Sequence, residues 1–545
     1  MHTQTLLQAL PKVDTLLSHP RFASYNAQVL KPIIQRQVER ARQALRQDLY
    51  GSSLAATHTE LAACVMRVVR EAGAESHGAQ INEGQTNEVR EELGDSHARG
   101  EAEDSKDLGD LREALGELED LDALREVLSH ALIESIAREY EDLTTSSLVP
   151  LVNATGVVVQ TNLGRSVFAP KLLERIAPLL TRYCSLEYDT LEGRRSSRYA
   201  HANTLLKALF CQEYEFLLVN NNAAAVLLIL NTFAKDREVI ISRGELVEIG
   251  GEFRIPEVMI SAGALLTEVG ATNKTHLRDY ERALSERTAM LMKAHKSNFA
   301  QIGFCSEVEM CELSALARKY GLIDYYDLGS GCVLDLPCES VDRRASVRTE
   351  PSLREIFAAP PSLLSFSGDK LFGASQVGII AGEPHLIATL KQNHLLRALR
   401  VDKLCISALQ ATLEAYLRDE LDSIPTLAML SLTPEALQKR AKKLCQMIES
   451  RAPRGISAQI VEVDSLAGGG SLPDRVFRSV AVGLRSTRLK ASALESRLRV
   501  EHAIIARVSR EWVLLDTRTL LEGDMERICE ALGAITESSA KKSEK

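Results

Sequence analysis

After Pro150 the sequence repeats one pattern: a short apolar run, a turn of small or polar residues, then a helical stretch. The apolar runs are Phe216 to Val219, Val239 to Ser242, Leu265 to Val269, Ala289 to Ala294, Leu322 to Tyr326 and Leu363 to Phe366. Helical stretches such as Ala223 to Phe233 and Leu277 to Leu284 fall between them. Runs this short and apolar read as strands buried on both faces, and strands alternating with helices pair in parallel because each helix carries the chain back across the sheet. The expected fold class is α/β, a mostly parallel sheet covered by helices on both sides, with any ligand beyond the C-terminal strand ends. From about Thr433 the pattern changes to a helix (Pro434 to Ala452), a strand near Ile460, a Gly468-Gly-Gly470 loop and strands around Val480 and Val513. This predicts a smaller α+β domain.

The region before Pro150 follows another rule. Leu6, Leu7, Leu10, Val13, Leu16 and Leu17 recur at helical spacing, Pro20 interrupts them, and Val29 to Leu49 carries Arg36, Arg40, Arg42 and Arg46 along its polar side. Residues 1–73 therefore read as a basic helical module; its arginines suit an RNA backbone and equally suit a solvated helix face. Residues 74–122 are rich in Glu, Asp, Gly, Ser, Asn and Gln and hold almost no apolar residue before Leu108. Such a segment buries too little surface to offset chain entropy and reads as a disordered acidic insertion, either a partner-binding tail or a tolerated surface loop. Apolar periodicity returns from Leu121 to Leu143, and this helix is expected to pack on the first ones. The division is thus 1–73, 74–122, a helix and linker at 123–150, a large domain at 151–430 and a small domain at 431–545.

A net charge of −9 over 545 residues argues against wholesale nucleic-acid coating while leaving room for a local basic surface. No apolar run reaches the length of a membrane span and Met1 to Leu10 lacks a signal-peptide pattern, so a cytosolic protein is expected. The cysteines show no Cys-x-x-Cys and no histidines at zinc spacing, which points to reduced structural thiols and no metal.

The candidate chemistry collects at the strand ends. Ser365-Phe-Ser-Gly-Asp-Lys370 takes a buried strand into a turn of small residues ending on Lys370. An amine placed there is partly desolvated, loses its proton more readily than a surface lysine and can form a Schiff base with an aldehyde cofactor. Ser367 completes a Ser-x-x-Lys spacing common in pyridoxal-phosphate (PLP) enzymes, where the hydroxyl serves the cofactor phosphate. At Asn220-Asn-Asn-Ala-Ala224 a strand turns directly into a helix, and the amides of Asn222, Ala223 and Ala224 are candidates to hold a phosphate; a plain asparagine cap is the alternative. Asp327, at the end of its strand, needs a partner for its charge, and a protonated pyridine nitrogen is one; Asp324 competes for the role. In His295-Lys-Ser-Asn298, Asn298 is placed to donate to the phenolic oxygen of such a cofactor, and His295 either lies over the ring or caps the strand.

From about Val152 to Leu417 the chain resembles the bacterial selenocysteine synthase family, the L-seryl-tRNA(Sec) selenium transferases. The stretches that carry the resemblance are Asn153-Ala-Thr-Gly-Val157, Thr161-Asn-Leu-Gly-Arg165, Ser242-Arg-Gly-Glu-Leu-Val-Glu-Ile-Gly-Gly251, Phe253-Arg-Ile-Pro256, Glu268-Val-Gly-Ala-Thr-Asn273, Asp327-Leu-Gly-Ser-Gly331, Ser365 to Lys370 and Leu396-Arg-Ala-Leu-Arg400. The start Leu10-Pro-Lys-Val-Asp14 and the loop Gly468-Gly-Gly-Ser-Leu-Pro473 are similar too, whereas residues 74–122 are not. The resemblance implies a PLP-dependent transferase of fold type I with a seven-stranded large-domain sheet, acting on seryl-tRNA(Sec) and selenophosphate in the cytoplasm. It further implies a homo-oligomer built of dimers, with a decamer as the expected count. The implied reaction is a β-replacement in which Lys370 shuttles protons, water leaves the seryl group and selenium is added. Arg194, Arg195, Arg198, Arg397 and Arg400 are the implied selenophosphate ligands, one of them expected to serve only in an ion pair, with Arg397 and Arg400 on one helix face. The sequence departs from the family at Ser196 (usually Gly), at Phe299-Ala300 (usually an aromatic and Arg) and at Gly373-Ala-Ser-Gln376 (usually Gly-Gly-Pro-Gln). Two other readings stay open. A PLP ammonia lyase acting on a small amino acid or amino-sugar acid would have no use for the helical module. A silent tRNA-binding scaffold would not need Lys370, Asp327 and Asn298 intact.

Overall fold

The structure is a computed structural model that describes residues 10–50, 121–249, 253–301, 303–334, 336, 339–340, 351–451, 455–473 and 475–543. The expected acidic insertion, except residues 121 and 122, lies outside the described residues, as do Leu6, Leu7, Gly250 and Gly251. The chain divides into two compact units, Met1–Val149 and Pro150–Lys545.

In the first unit α1 (Ala27–Tyr50) pairs with α2 (Leu121–Thr144). Leu30, Ile33, Ile34, Val38 and Ala41 form a stripe at helical spacing and are buried, as are Leu128, Leu132, Ile136 and Ala137. Polar edges lock the same pair: Arg36 Nε donates to Glu139 Oε1 at 3.0 Å, Gln37 Nε2 donates to Glu139 Oε2 at 2.5 Å, and Tyr25 stacks on Tyr140 with ring centroids 4.1 Å apart. Arg36, expected on an open basic face, is therefore tied to α2, and Arg42 pairs with Glu39 on its own helix. The Arg46 side chain lies outside the described residues.

In the second unit one sheet contains β1 (Glu215–Val219), β2 (Glu238–Ser242), β3 (Leu265–Val269), β4 (Thr288–Ala294), β5 (Ile323–Gly329), β6 (Leu363–Ser367) and β7 (Gly378–Gly382). Their order is β1-β7-β6-β5-β4-β2-β3, and only β7 runs against the others. The expected mostly parallel seven-stranded α/β sheet is present. Alternate strand residues pack to opposite sides. Phe216, Leu218, Leu364 and Phe366 join one core with Leu206, Leu409 and Leu413; Leu217, Val219, Leu363 and Ile380 join another with Val226 and Ile229 of α3 (Asn222–Phe233). Strand β7 is absent from the strands expected on sequence, because its glycine-flanked run is too short to stand out from the turn before it. Strand β5 also runs further than expected, so that Asp327 lies inside it.

Since β1, β4, β5 and β6 point the same way, the turns after them meet on one edge. A second, antiparallel sheet is built from β8 (Ile456–Ser465), β9 (Arg475–Ser486), β10 (Arg507–Ser509) and β11 (Trp512–Asp516), with helices Pro434–Arg451, Ala491–His502 and Asp524–Ser543. Val158 and Val159 donate to the carbonyls of Leu466 and Ala467 at 3.1 and 2.7 Å, which anchors the loop after β8 against the start of the unit. Among the described residues no helix is long and apolar enough to cross a membrane.

Candidate active site

The turn after β6 is held from both sides. Gly368 N donates to Val377 O at 2.8 Å, Ala374 N to Gly368 O at 2.7 Å and Gly373 N to Lys370 O at 3.0 Å. Position 368 must be glycine, because a Cβ there would stand 2.7 Å from Ser375 O and 2.6 Å from Val377 Cγ1. On the other side Ser166 Oγ donates to the carbonyls of Asp369 and Lys370 at 2.8 and 3.0 Å, and Arg165 Nη1 donates to Asp369 Oδ2 at 2.7 Å. Lys370 is only 7% exposed. Ser375, one of the departures from the family pattern, is buried and donates to Cys405 O at 3.0 Å, so the turn accommodates it.

Asp327 stands in register with Ala294 of β4 and Ser365 of β6 and is buried. Asn222 Nδ2, at the start of α3, donates to its Oδ1 at 2.7 Å. Burial pushes the Asp327 carboxyl up to about 6, a rise that Asn222 and the charge of Lys370 only partly offset. Asp324, three residues earlier, points to the opposite face, where the hydroxyls of Ser314 and Ser362 both donate to it. Both oxygens of Asp324 thus have hydroxyl donors, Ser314 at Oδ2 and Ser362 at Oδ1.

The α3 start differs from a fully open phosphate cradle. Asn221 caps it, its side chain accepting from Ala224 N at 2.9 Å, which leaves the amides of Asn222 and Ala223. Asn222 is committed to Asp327 on one side, while its Oδ1 is buried without a protein partner. After β4, His295 N donates to Asp327 O at 2.9 Å. The His295 imidazole is half-buried, and burial with the nearby Lys293 charge lowers it to about 4, so it is neutral at pH 7. Asn298 is exposed and donates through Nδ2 to Glu248 O. Ser367 is buried at the end of β6.

Sequence reasoning about the site missed what closes it. Gly468, Gly469 and Gly470 all have positive φ (78°, 65° and 68°), and a Cβ at Gly470 would lie 3.5 Å from Asn298 Cβ and 4.0 Å from Lys370 Nζ. The triple glycine is visible in the sequence, but nothing local says that it meets a lysine far earlier in the chain. Ser297, Ser330 and Ser471, in these same turns, have buried hydroxyls with no protein partner. With Asn222 Oδ1 and the buried Asp327, they make a donor and acceptor set that fits a polar, cationic heterocycle such as a protonated pyridine.

The arginines form a separate group around Glu187, which carried no signal in the sequence. Arg198 donates to Glu187 Oε1 through Nε at 2.7 Å and Nη2 at 2.5 Å, and to Val401 O through Nη1 at 2.6 Å. Arg195 Nη2 reaches Glu187 Oε2 at 3.1 Å, and Arg400 Nη1 stands 4.0 Å from Oε1. The Arg198 hydrogen bonds hold the Glu187 carboxyl below its usual range. Arg194 pairs with Glu192 at 3.7 Å, and Arg397 has no ion-pair partner among the described residues. Four of the five, Arg194, Arg195, Arg198 and Arg400, thus stand within 4.0 Å of a carboxylate. The helix Leu395–Ala398 also stops short of Arg400, which places Arg397 and Arg400 on different elements rather than on one helix face. The group adjoins the strand-end edge: Asn220 N donates to Leu399 O at 3.0 Å, and its side-chain amide, turned to present its nitrogen, would donate to the carbonyls of Leu399 and Arg400 at 3.0 Å each.

Comparison with known proteins adds a family to this geometry. The family model for L-seryl-tRNA selenium transferase matches residues 151–521. A relative from Helicobacter hepaticus, named L-seryl-tRNA(Sec) selenium transferase, is 45% identical over 536 residues, covering 98% of this chain and 100% of its own. One of the same name from Wolinella succinogenes is 51% identical over 407 residues, covering 75% of this chain and 88% of its own. Among solved structures, D-glucosaminate-6-phosphate ammonia-lyase is 21% identical with a TM-score of 0.49, covering 74% of this chain and 99% of its own.

Proposed function

This chain belongs to the L-seryl-tRNA selenium transferase family, and from that premise we infer that it converts L-seryl-tRNA(Sec) to L-selenocysteinyl-tRNA(Sec), losing water from the seryl group before selenium is added from selenophosphate. The cofactor is pyridoxal 5′-phosphate, which when bound supplies an electron sink for the carbanion at the seryl α-carbon. The observation that carries the reading onto residues is the buried Asp327 beside Asn222, a carboxylate that gains from a cationic ring partner.

In this reading Lys370 Nζ would hold the cofactor and would carry the proton from the seryl α-carbon to the departing hydroxide. Asp327 would keep the ring nitrogen protonated, Asn298 would donate to the phenolic oxygen, and a neutral His295 would add no charge beside the ring. The amides of Asn222 and Ala223 with the Ser367 hydroxyl would hold the phosphate, while the Ala224 amide donates to the Asn221 cap and supports the helix start. Arg195, Arg198, Arg397 and Arg400 take the selenophosphate oxyanion. Residues 1–149 bind the tRNA, and the working particle is a cytoplasmic homo-oligomer built of dimers, a decamer. The ammonia-lyase alternative is set aside because a relative spanning the whole chain is named as a selenium transferase.

The test is incubation of the purified, PLP-loaded protein with seryl-tRNA(Sec) and selenophosphate, followed by amino-acid analysis of the tRNA. Selenocysteine is expected. Unchanged serine, together with ammonia release from a free amino acid, would restore the lyase.

A further inference from the structure

A carboxylate sits at the centre of the arginine group. The Glu187 side chain is 28% exposed, and Arg198 keeps a separate anchor on Val401 O at 2.6 Å. The Glu187 pair with Arg195, whose side chain is 77% exposed, is open to water and adds little to stability. For a ligand its position matters more. Glu187 offers Arg195 and Arg198 the forked acceptor that an incoming oxyanion would offer, and it stands 4.0 Å from Arg400.

We propose that Glu187 is a resident anion of the donor site: it occupies Arg195, Arg198 and Arg400 between turnovers and yields them to the phosphate group of the selenium donor. The proposal rests on the reading that these arginines hold selenophosphate. Arg397, exposed and without an ion-pair partner among the described residues, is the guanidinium an arriving anion meets first. Arg195, with a side chain 77% exposed and only Nη2 engaged, is the next to turn. The exchange moves hydrogen bonds and no covalent bond. It has two consequences. The arginines stay organised without substrate, because their charges are offset. A singly charged anion with few acceptor atoms gains too little to displace a forked carboxylate, whereas a phosphate group with three oxygens and nearly two charges gains enough.

The sign of the effect follows from charge. Replacing Glu187 with its neutral isostere keeps a hydrogen-bond acceptor for Arg198 but removes both the competitor and the repulsion it exerts on an anion a few ångströms away. The proposal is tested with inorganic phosphate titrated calorimetrically into the full-length, PLP-loaded wild type and into Glu187→Gln, Glu187→Asp and the double variant Arg397→Ala with Arg400→Ala. Glu187→Gln should bind phosphate on the order of tenfold more tightly than the wild type, with the gain shrinking as salt is added, while its cofactor absorption is unchanged. Glu187→Asp, which keeps the charge, should bind as the wild type does. Affinity in Glu187→Gln equal to or weaker than wild type, or the same tightening in Glu187→Asp, would overturn the resident-anion role. If the double arginine variant loses phosphate binding while Glu187→Gln is unaltered, only this inference fails; if the double variant binds like the wild type, the arginine reading fails with it.

Discussion

The strand-end centre and the arginine group solve opposite problems. Around Lys370 and Asp327 the charged groups are buried, and Asn222 Oδ1 and three serine hydroxyls in the same turns lack protein partners. Around Glu187 the charged groups range from an Arg198 side chain 11% exposed to an Arg195 side chain 77% exposed, and they satisfy one another. Burial makes unmet polar groups costly, so a set of them marks where a ligand belongs. Exposure makes ion pairs cheap to form and remake, so pairing in one state says little about which arginine serves a ligand.

The largest effect that would break this contrast belongs to Lys370. Lys370→Ala should abolish covalent attachment of PLP, read as label retained after borohydride reduction, whereas Arg198→Ala should retain it; label surviving in Lys370→Ala would remove the lysine from its role. Next, Asp327→Asn should lower turnover by several orders of magnitude with the fold intact, since an amide cannot hold a ring nitrogen protonated. Asp324→Asn should cost about 1–3 kcal/mol of stability instead, through its two serine partners. The reverse pattern would exchange the two aspartates.

On the exposed side, Arg397→Ala combined with Arg400→Ala should separate the half-reactions: dehydroalanyl-tRNA still forms, while selenium transfer falls at least a hundredfold. Loss of both halves would show that the pair serves the tRNA or the fold.

A smaller effect sharpens the buried side. The folded Asp327 carboxyl, at about 6 against an ordinary 3.8, binds its proton more tightly than the unfolded chain does. That contribution is fully present below about pH 4 and is lost as pH rises through 6, on the order of 3 kcal/mol in the cofactor-free protein. Thermal melts of the cofactor-free wild type should therefore fall between pH 4.5 and 7.5 more than those of Asp327→Asn; parallel curves would mean that Asp327 is ionised without a cation beside it.

The smallest effect concerns the other arginines, those of the first unit. Because α1 and α2 bury one stripe between them, deletion of residues 1–70 would strip α2, and the cleaner truncation removes 1–149. It should leave PLP bound and weaken seryl-tRNA binding by more than tenfold, about 1.4 kcal/mol, with a shallower salt slope. Equal affinities and slopes in a filter-binding titration would show that this unit does not hold the tRNA.

Much of this was legible in the sequence because it is local. Strand-to-helix alternation is a periodicity of neighbours, and it located the sheet and the turns after β1, β4, β5 and β6. The small residues before Lys370 and the asparagines before α3 are likewise local punctuation. Strand β7 was not legible, because five residues flanked by glycines resemble a turn. Nor was the end of the helix at Ala398, which separates Arg397 from Arg400.

What the sequence determined by itself is the fold class, the position of Lys370 on a buried strand end and, through its motifs, the family. What only the tertiary structure decided is partnership: that the Asn221 side chain accepts from the Ala224 amide, that Asp324 turns to its serines and Asp327 to Asn222, that Gly470 reaches Lys370, and that Arg195, Arg198 and Arg400 gather on Glu187. The reason is separation along the chain. Arg198 meets Val401 across 203 residues, and such a contact depends on how strands and domains register against one another, for which no neighbouring residue carries a signal.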